Sequence, residues 1–241
     1  MGCATASVDP RSLPSMSRTM SEADSKALLA PLGVPFAPER LVADADAAAT
    51  AATEVGLPVA VKLCGEHIAH KTERGLVRLG LGDPAAVASA AQELLDAARP
   101  EDAATGVLVA PMVTGSRELI AGLSHDEQFG PTVLVGVGGV LAEAVADVAV
   151  RLVPITEVDA AEMLEQLSTQ ALLGEFRGEP ALDRDAVVRL LLALSDAAGA
   201  PVDGTDEHVV SVDLNPLIIC DGRPIAVDAL VEVASSSEVP A

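Results

Sequence analysis

Residues 59–80 read VAVKLCGEHIAHKTERGLVRLG. The first half is an apolar run, the pattern of a strand covered on both faces. Lys62 interrupts it, and an unpaired ammonium inside such a strand is expensive. A loop bracketed by Gly65 and Gly75 follows, carrying His67, His70 and Lys71, and Arg74 and Arg78 lie close behind. The whole chain has only three lysines, four histidines and a formal net charge of -21. An acidic protein has therefore gathered scarce cations and imidazoles in one place. One reading of Lys62 is a strand-end residue reaching water along its own stem. The other is contact with a bound anion, a nucleotide phosphate. His67 and His70 are spaced to face one way, but no thiolate or carboxylate at zinc-site spacing joins them. An imidazole titrating near neutrality suits a nucleophile or proton carrier.

Outward from this stretch, the chain alternates helix and strand signals. Ser21 with Asp24 opens a helix to about residue 32. Residues 33–42 are extended, and an alanine-rich helix runs from Asp44 to Val55, stopped by Gly56. Residues 75–81 partner the opening strand. Asp83-Pro84 is an N-cap with proline at the first helical position, starting a helix to about Ala98. Strand-like segments at 106–113 and 117–124 are joined by the turn TGS, and a third follows at 131–139. Thr156 with Asp159 caps another helix, and Asp185 to Ala198 is a further one. Residues 208–220, the turn DGRP and residues 225–231 read as a hairpin. This order predicts an α+β protein of two lobes. Residues 1–20 read as a disordered leader, 21–110 as the N-terminal lobe, 111–233 as the C-terminal lobe and 234–241 as a tail, with the hinge near residues 111–116.

Composition narrows the function. Three Phe and no Trp or Tyr leave no stacking platform for single strands, and the negative charge repels a phosphate backbone. Nucleic acid is not an expected partner. No apolar run approaches the roughly 18 residues of a membrane helix, so no membrane span is expected, and no secretory signal is visible. The three cysteines, far apart, suggest neither a disulfide framework nor a zinc site. The expected compartment is the cytoplasm.

Two further motifs carry chemistry. Residues 136–151, GVGGVLAEAVADVAVR, bring glycines after a strand, where backbone N–H groups can approach an anion or simply make a tight turn. Glu143, Asp147 and Arg151 at four-residue spacing suit a charge row on a helix face. In residues 210–231, VSVDLNPLIICDGRPIAVDALV, Asp213 and Asn215 alternate with apolar residues and share a strand face. The returning strand brings Asp228 beside them. Two carboxylates and an amide are hard oxygen ligands suited to Mg²⁺ on a polyphosphate. The competing reading is an acidic strand edge that discourages aggregation.

Together these segments resemble the ATP-grasp domain of ADP-forming acyl-CoA synthetases, above all the beta subunit of ADP-forming acetate–CoA ligase, and distantly that of succinyl-CoA synthetase. The resemblance covers about residues 21–233. It implies an ATP-grasp fold, ATP and ADP as substrates, Mg²⁺, and a CoA-binding alpha subunit in a heterotetramer. It implies that His70 carries a phosphoryl group between that subunit and the nucleotide. Lys62, Lys71, Val109, Ala110, Met112, Val113 and Glu118 would contact the nucleotide. Gly138, Gly139 and Glu143 would form a phosphate loop, and Asn215, Asp228 and Asp213 would hold the metal. The hinge reads Ala110-Pro111-Met112 where relatives often place Gln or Glu. No CoA-binding unit is recognised in the chain, so a partner is expected to complete the reaction. A nucleotide-binding regulatory module without turnover is the alternative, and a ligase making an acyl phosphate directly is a third reading.

Overall fold

The computed structural model describes residues 17–68, 71–126, 128–139 and 145–235. Two antiparallel sheets organise them. The smaller has the order β2-β5-β3-β4 and comprises β2 (Arg40–Val42), β5 (Ala104–Pro111), β3 (Val59–Gly65) and β4 (Val77–Leu81). Helices α2 (Ala45–Val55) and α3 (Pro84–Asp96) cover it. Both begin as the sequence predicts: the Asp44 carboxylate accepts from the Ala47 N–H at 2.8 Å and that of Asp83 from the Ala86 N–H at 2.9 Å. Their buried faces are largely alanine, which lets them approach β3 closely. Val59, Val61 and Leu63 of β3 are fully buried against them.

The larger sheet has the order β1-β11-β9-β6-β7-β8, with β10 pairing the far half of β9. Its strands are β1 (Arg18–Thr19), β6 (Arg117–Asp126), β7 (Gly130–Val137), β8 (Val148–Leu152), β9 (Glu207–Cys220), β10 (Arg223–Ala226) and β11 (Leu230–Ser235). Helices α4 (Glu157–Gln166) and α5 (Arg184–Ala197) bury one face. Thr156 and Asp159 complete a reciprocal capping box at α4. Asp221 and Gly222, both at positive φ, make the two-residue turn between β9 and β10.

The TGS turn joins β5 to β6, which belong to different sheets. The connection crosses so tightly over β9 that a Cβ on Gly115 would meet the Ile219 carbonyl oxygen at 2.1 Å. The leader gives way before residue 20: Arg18–Thr19 pair with β11, and Arg18 is tied to Glu207 at 2.6 Å. Helix α1 (Glu22–Leu29), with Met20 and Val34, places its apolar residues in the core of the larger sheet, and only its first turn reaches β3 of the small sheet. The helix-face charge row does not form among the described residues. Asp147 accepts from the Ser168 and Thr169 N–H groups at 2.8 Å each, and Arg151 lies on β8, an unpredicted strand. Glu143 lies outside the described residues. Finally, the returning strand is broken into β10 and β11, and Asp228 occupies the break, opposite the middle of β9.

Candidate functional site

The two sheets face each other across a cavity of about 320 Å³. Strand β3 directs Val59, Val61 and Leu63 into the small core, so its period of two sends Ala60 and Lys62 to the cavity side. Lys62 is thus buried in a covered strand, yet its ammonium has partners. It lies 2.7 Å from Glu22 Oε1, donates to the Val227 carbonyl at 2.7 Å, and reaches Asp228 at 3.9 Å. Lys71 arrives from the loop after β3 and lies 2.7 Å from Glu22 Oε2 and 3.1 Å from Asp228 Oδ1.

Glu22 also pairs with Lys26, one helical turn away, at 2.8 Å, and Lys26 reaches Glu39 at 2.7 Å. All three lysines of the chain therefore meet at one carboxylate. Burial favours the neutral acid of Glu22, but Lys62, then Lys26 and Lys71, overcome it and hold that carboxyl far below the usual range. Burial alone would lower the Lys26 and Lys71 ammonium groups; the facing carboxylates raise both. Asp228 is pushed up by burial and by the Glu22 charge, against the pull of Lys62 and Lys71. Asp213 is pushed up by burial and then by Asp228, although its side chain reaches solvent and water screens much of that effect.

Of the residues expected here, Lys62, Ala110, Met112, Val113, Glu118, Asn215 and Asp228 line the cavity. Lys71 joins them through its ion pairs. Asp213 shares the outward face of β9 with Asn215. Gly138 donates its N–H to the Glu118 carbonyl at 2.8 Å, and Gly139 passes beside the Glu118 side chain. Val109 does not face the cavity: it is fully buried in the small core, because Ala110 takes the cavity side at the next position. His70 and Glu143 lie outside the described residues. His67 is exposed.

Two cations of the opening stretch do other work. Arg74 grips the buried Asp102 with both nitrogens at 2.7 and 2.9 Å, and Arg78 pairs with Glu93 at 3.3 Å. Arg117, next to Glu118, is buried and donates to the carbonyls of Leu172, Gly174 and Pro180. Sequence reasoning missed Glu22, Lys26 and Glu39. The available signal was Glu22 at i-4 from Lys26, the one lysine left unexplained.

The oxygen donors fit a hard divalent cation. Asn215 and Asp228 face the same cavity and offer an amide and a carboxylate oxygen to it. Among the described residues no set of three His, Cys, Asp or Glu side chains converges as a metal cage.

The family described as ATP-grasp domain matches residues 12–233. The chain belongs to the ATP-grasp family. It is 36% identical over 203 residues to the acetate–CoA ligase [ADP-forming] II beta subunit of Pyrococcus furiosus, covering 83% of this chain and 84% of that one. It thus belongs with the beta subunits of ADP-forming acetate–CoA ligases, which are enzymes, and a purely regulatory role loses its support. Against the ADP-forming acetate–CoA ligase I of Archaeoglobus fulgidus it is 34% identical over 86% of its length but spans only 30% of that longer chain. Among solved structures, the dinucleotide-forming acetyl-coenzyme A synthetase 1 of Ca. Korarchaeum cryptofilum, in complex with coenzyme A and Ca-AMPCP, superposes with a TM-score of 0.79. The identity is 30%, covering 89% of this chain and 93% of that one. Another structure of that synthetase contains Mg-AMPPCP, with a phosphohistidine segment pointing towards the nucleotide binding site.

Proposed function

We propose that this chain is the ATP-grasp half of an ADP-forming acyl-CoA synthetase, which exchanges a phosphoryl group between ATP or ADP and a CoA-binding alpha subunit. The net reaction is acid, CoA and ATP to acyl-CoA, ADP and phosphate. The observation that carries the reading is the cavity between the sheets, with Lys62 at its wall, Lys71 beside it and Asn215 and Asp228 opposite. Lys62 and Lys71 neutralise the polyphosphate, as preorganised cations do in phosphoryl transfer. Ala110, Met112 and Val113 line the base end. Glu118, supported by Gly138, borders the cavity from β6. Asn215 and Asp228, with Asp213 beside them, would hold Mg²⁺, which would supply positive charge to the polyphosphate.

His70 is the phosphoryl carrier. In the forward direction its imidazole nitrogen bonds to the γ-phosphorus of ATP as the bond to the β–γ bridging oxygen breaks and ADP leaves. The support is its place beside Lys71 in the glycine-bounded loop and the phosphohistidine segment of the Korarchaeum synthetase. The alpha partner is a CoA-binding subunit in a heterotetramer, and the compartment is the cytoplasm. No helix among the described residues is long and apolar enough to cross a membrane.

Calorimetry with Mg·ATP and a coupled assay on the isolated chain test the division of labour. Nucleotide binding without acyl-CoA synthesis is expected, with synthesis restored by an alpha subunit. Full turnover by the pure chain would contradict it.

A further inference from the structure

The two phosphate-site lysines come from the small sheet and its loop, but what holds their tips does not. Lys62 is gripped by Glu22 Oε1 and the Val227 carbonyl, and Lys71 by Glu22 Oε2 and Asp228. Glu22 starts α1, whose residue Leu29 lies in the core of the larger sheet. Val227 and Asp228 lie between two strands of that same sheet. The aim of both lysines is therefore set from across the cavity.

Glu22 is built for this. Its side chain is 1% exposed, so solvent does not compete for it. It occupies the first turn of α1, just after the Ser21 N-cap, where the helix dipole favours a carboxylate. Each oxygen takes a different phosphate-site lysine, and Lys26 shares Oε1 and braces the carboxylate from its own helix. A lone carboxylate meeting one ammonium would fix one distance. This one fixes the spacing of Lys62 and Lys71 to each other and to the larger sheet.

We propose that Glu22 is the positioning residue of the phosphate site, a carboxylate that aligns Lys62 and Lys71 for the nucleotide polyphosphate. This assignment rests on the nucleotide reading above, and the sign of its effect separates it from simple charge balance. Glu22 is negative and lies near the place of the phosphates. If it served only as a counter-charge, its removal would strengthen anion binding by Coulomb's law. If it aligns the lysines, removal weakens binding, because two freed ammonium groups no longer converge.

The test is calorimetry of Mg·ADP binding to the full chain in wild type, Glu22→Gln, Glu22→Asp, Lys62→Met and the double variant Glu22→Gln/Lys62→Met, with circular dichroism on each. Glu22→Gln should weaken binding about tenfold or more, a loss of about 1.4 kcal/mol. Glu22→Asp, which keeps the charge, should recover most of that loss. In the Lys62→Met background the further loss on adding Glu22→Gln should shrink to about threefold or less, since Glu22 acts through the lysines. Unchanged or tighter binding by Glu22→Gln would overturn the proposal, as would full additivity in the double variant. Should Glu22→Gln fail to fold, Glu22→Asp carries the test: its shortened carboxylate should still cost about twofold to threefold in affinity, and wild-type affinity would overturn the proposal. A wild-type chain that bound no Mg·ADP would remove the nucleotide reading itself, and this assignment with it.

Discussion

Strands β3 and β9 face each other across the cavity and present their functional groups in opposite ways. All seven residues of β3 are buried, and one of them is Lys62. In β9, buried apolar residues alternate with exposed polar ones, Asp213 and Asn215 among them. In a strand covered on both faces, a charged residue must be paired or bind something, so it stands out from sequence alone. In a half-covered strand, outward polar residues are ordinary, and only the return of Asp228 beside them gives the pair meaning. The small sheet supplies cation, the large sheet supplies oxygen, and Glu22 crosses between them.

The comparison is broken most sharply at Lys62. Lys62→Met removes the charge while keeping an unbranched stem, and Glu22 keeps Lys26 and Lys71 as partners. Phosphoryl transfer should fall by about a hundredfold or more, the scale for loss of one preorganised electrostatic group. Rapid-quench kinetics of the reconstituted complex measure it. Next comes the oxygen side. Asp228→Asn should raise the Mg²⁺ concentration needed for half-maximal nucleotide binding by about tenfold, while binding without Mg²⁺ changes little. Equal Mg²⁺ dependence in wild type and variant would detach β9 and its neighbour from metal binding.

The crossing residue has a pH signature. The Glu22 carboxyl is held below its unfolded value, so its contribution to stability is present above that value, near 4.5, and is lost as pH falls through the folded value. The gap in melting temperature between wild type and Glu22→Gln should therefore be steady from about pH 5 to 8 and shrink as pH drops below about 4. A gap that widened in acid would reverse the assigned sign. The smallest effect on function belongs to Arg74. Arg74→Ala leaves the buried Asp102 without its guanidinium and should lower the melting temperature, yet leave Mg·ADP affinity unchanged.

Most of the fold was legible because its signals are local. Ser21, Asp44, Asp83 and Thr156 cap the helices they announce. What the sequence did not reveal is long-range. Strand β8 was hidden because Asp147 and Arg151 fall at helical spacing by coincidence: one caps a loop and the other lies on the strand. The site was legible where chemistry is out of place, as with Lys62, or where a motif has a known spacing, as with Asn215 and Asp228. Val109 was misjudged because a strand's alternation assigns one of two neighbours to the core and the run 106–113 does not say which. Glu22 went unread because an acid in the first turn of a helix is ordinary; only the tertiary fold brings Lys62 and Lys71 to it.

The central claim, a phosphoryl relay through the loop that follows β3, is tested most directly by labelling. The chain is incubated with γ-labelled ATP and Mg²⁺, with and without an alpha subunit, and acid-labile, base-stable label is mapped by mass spectrometry. A free imidazole, with a pKa of about 6.5, is substantially neutral and nucleophilic near pH 7. The account predicts label on His70, its transfer back to added ADP, and its loss in His70→Ala with nucleotide binding largely retained. Label that persists in His70→Ala but vanishes in His67→Ala, or full activity of the complex with no label on this chain, would contradict it.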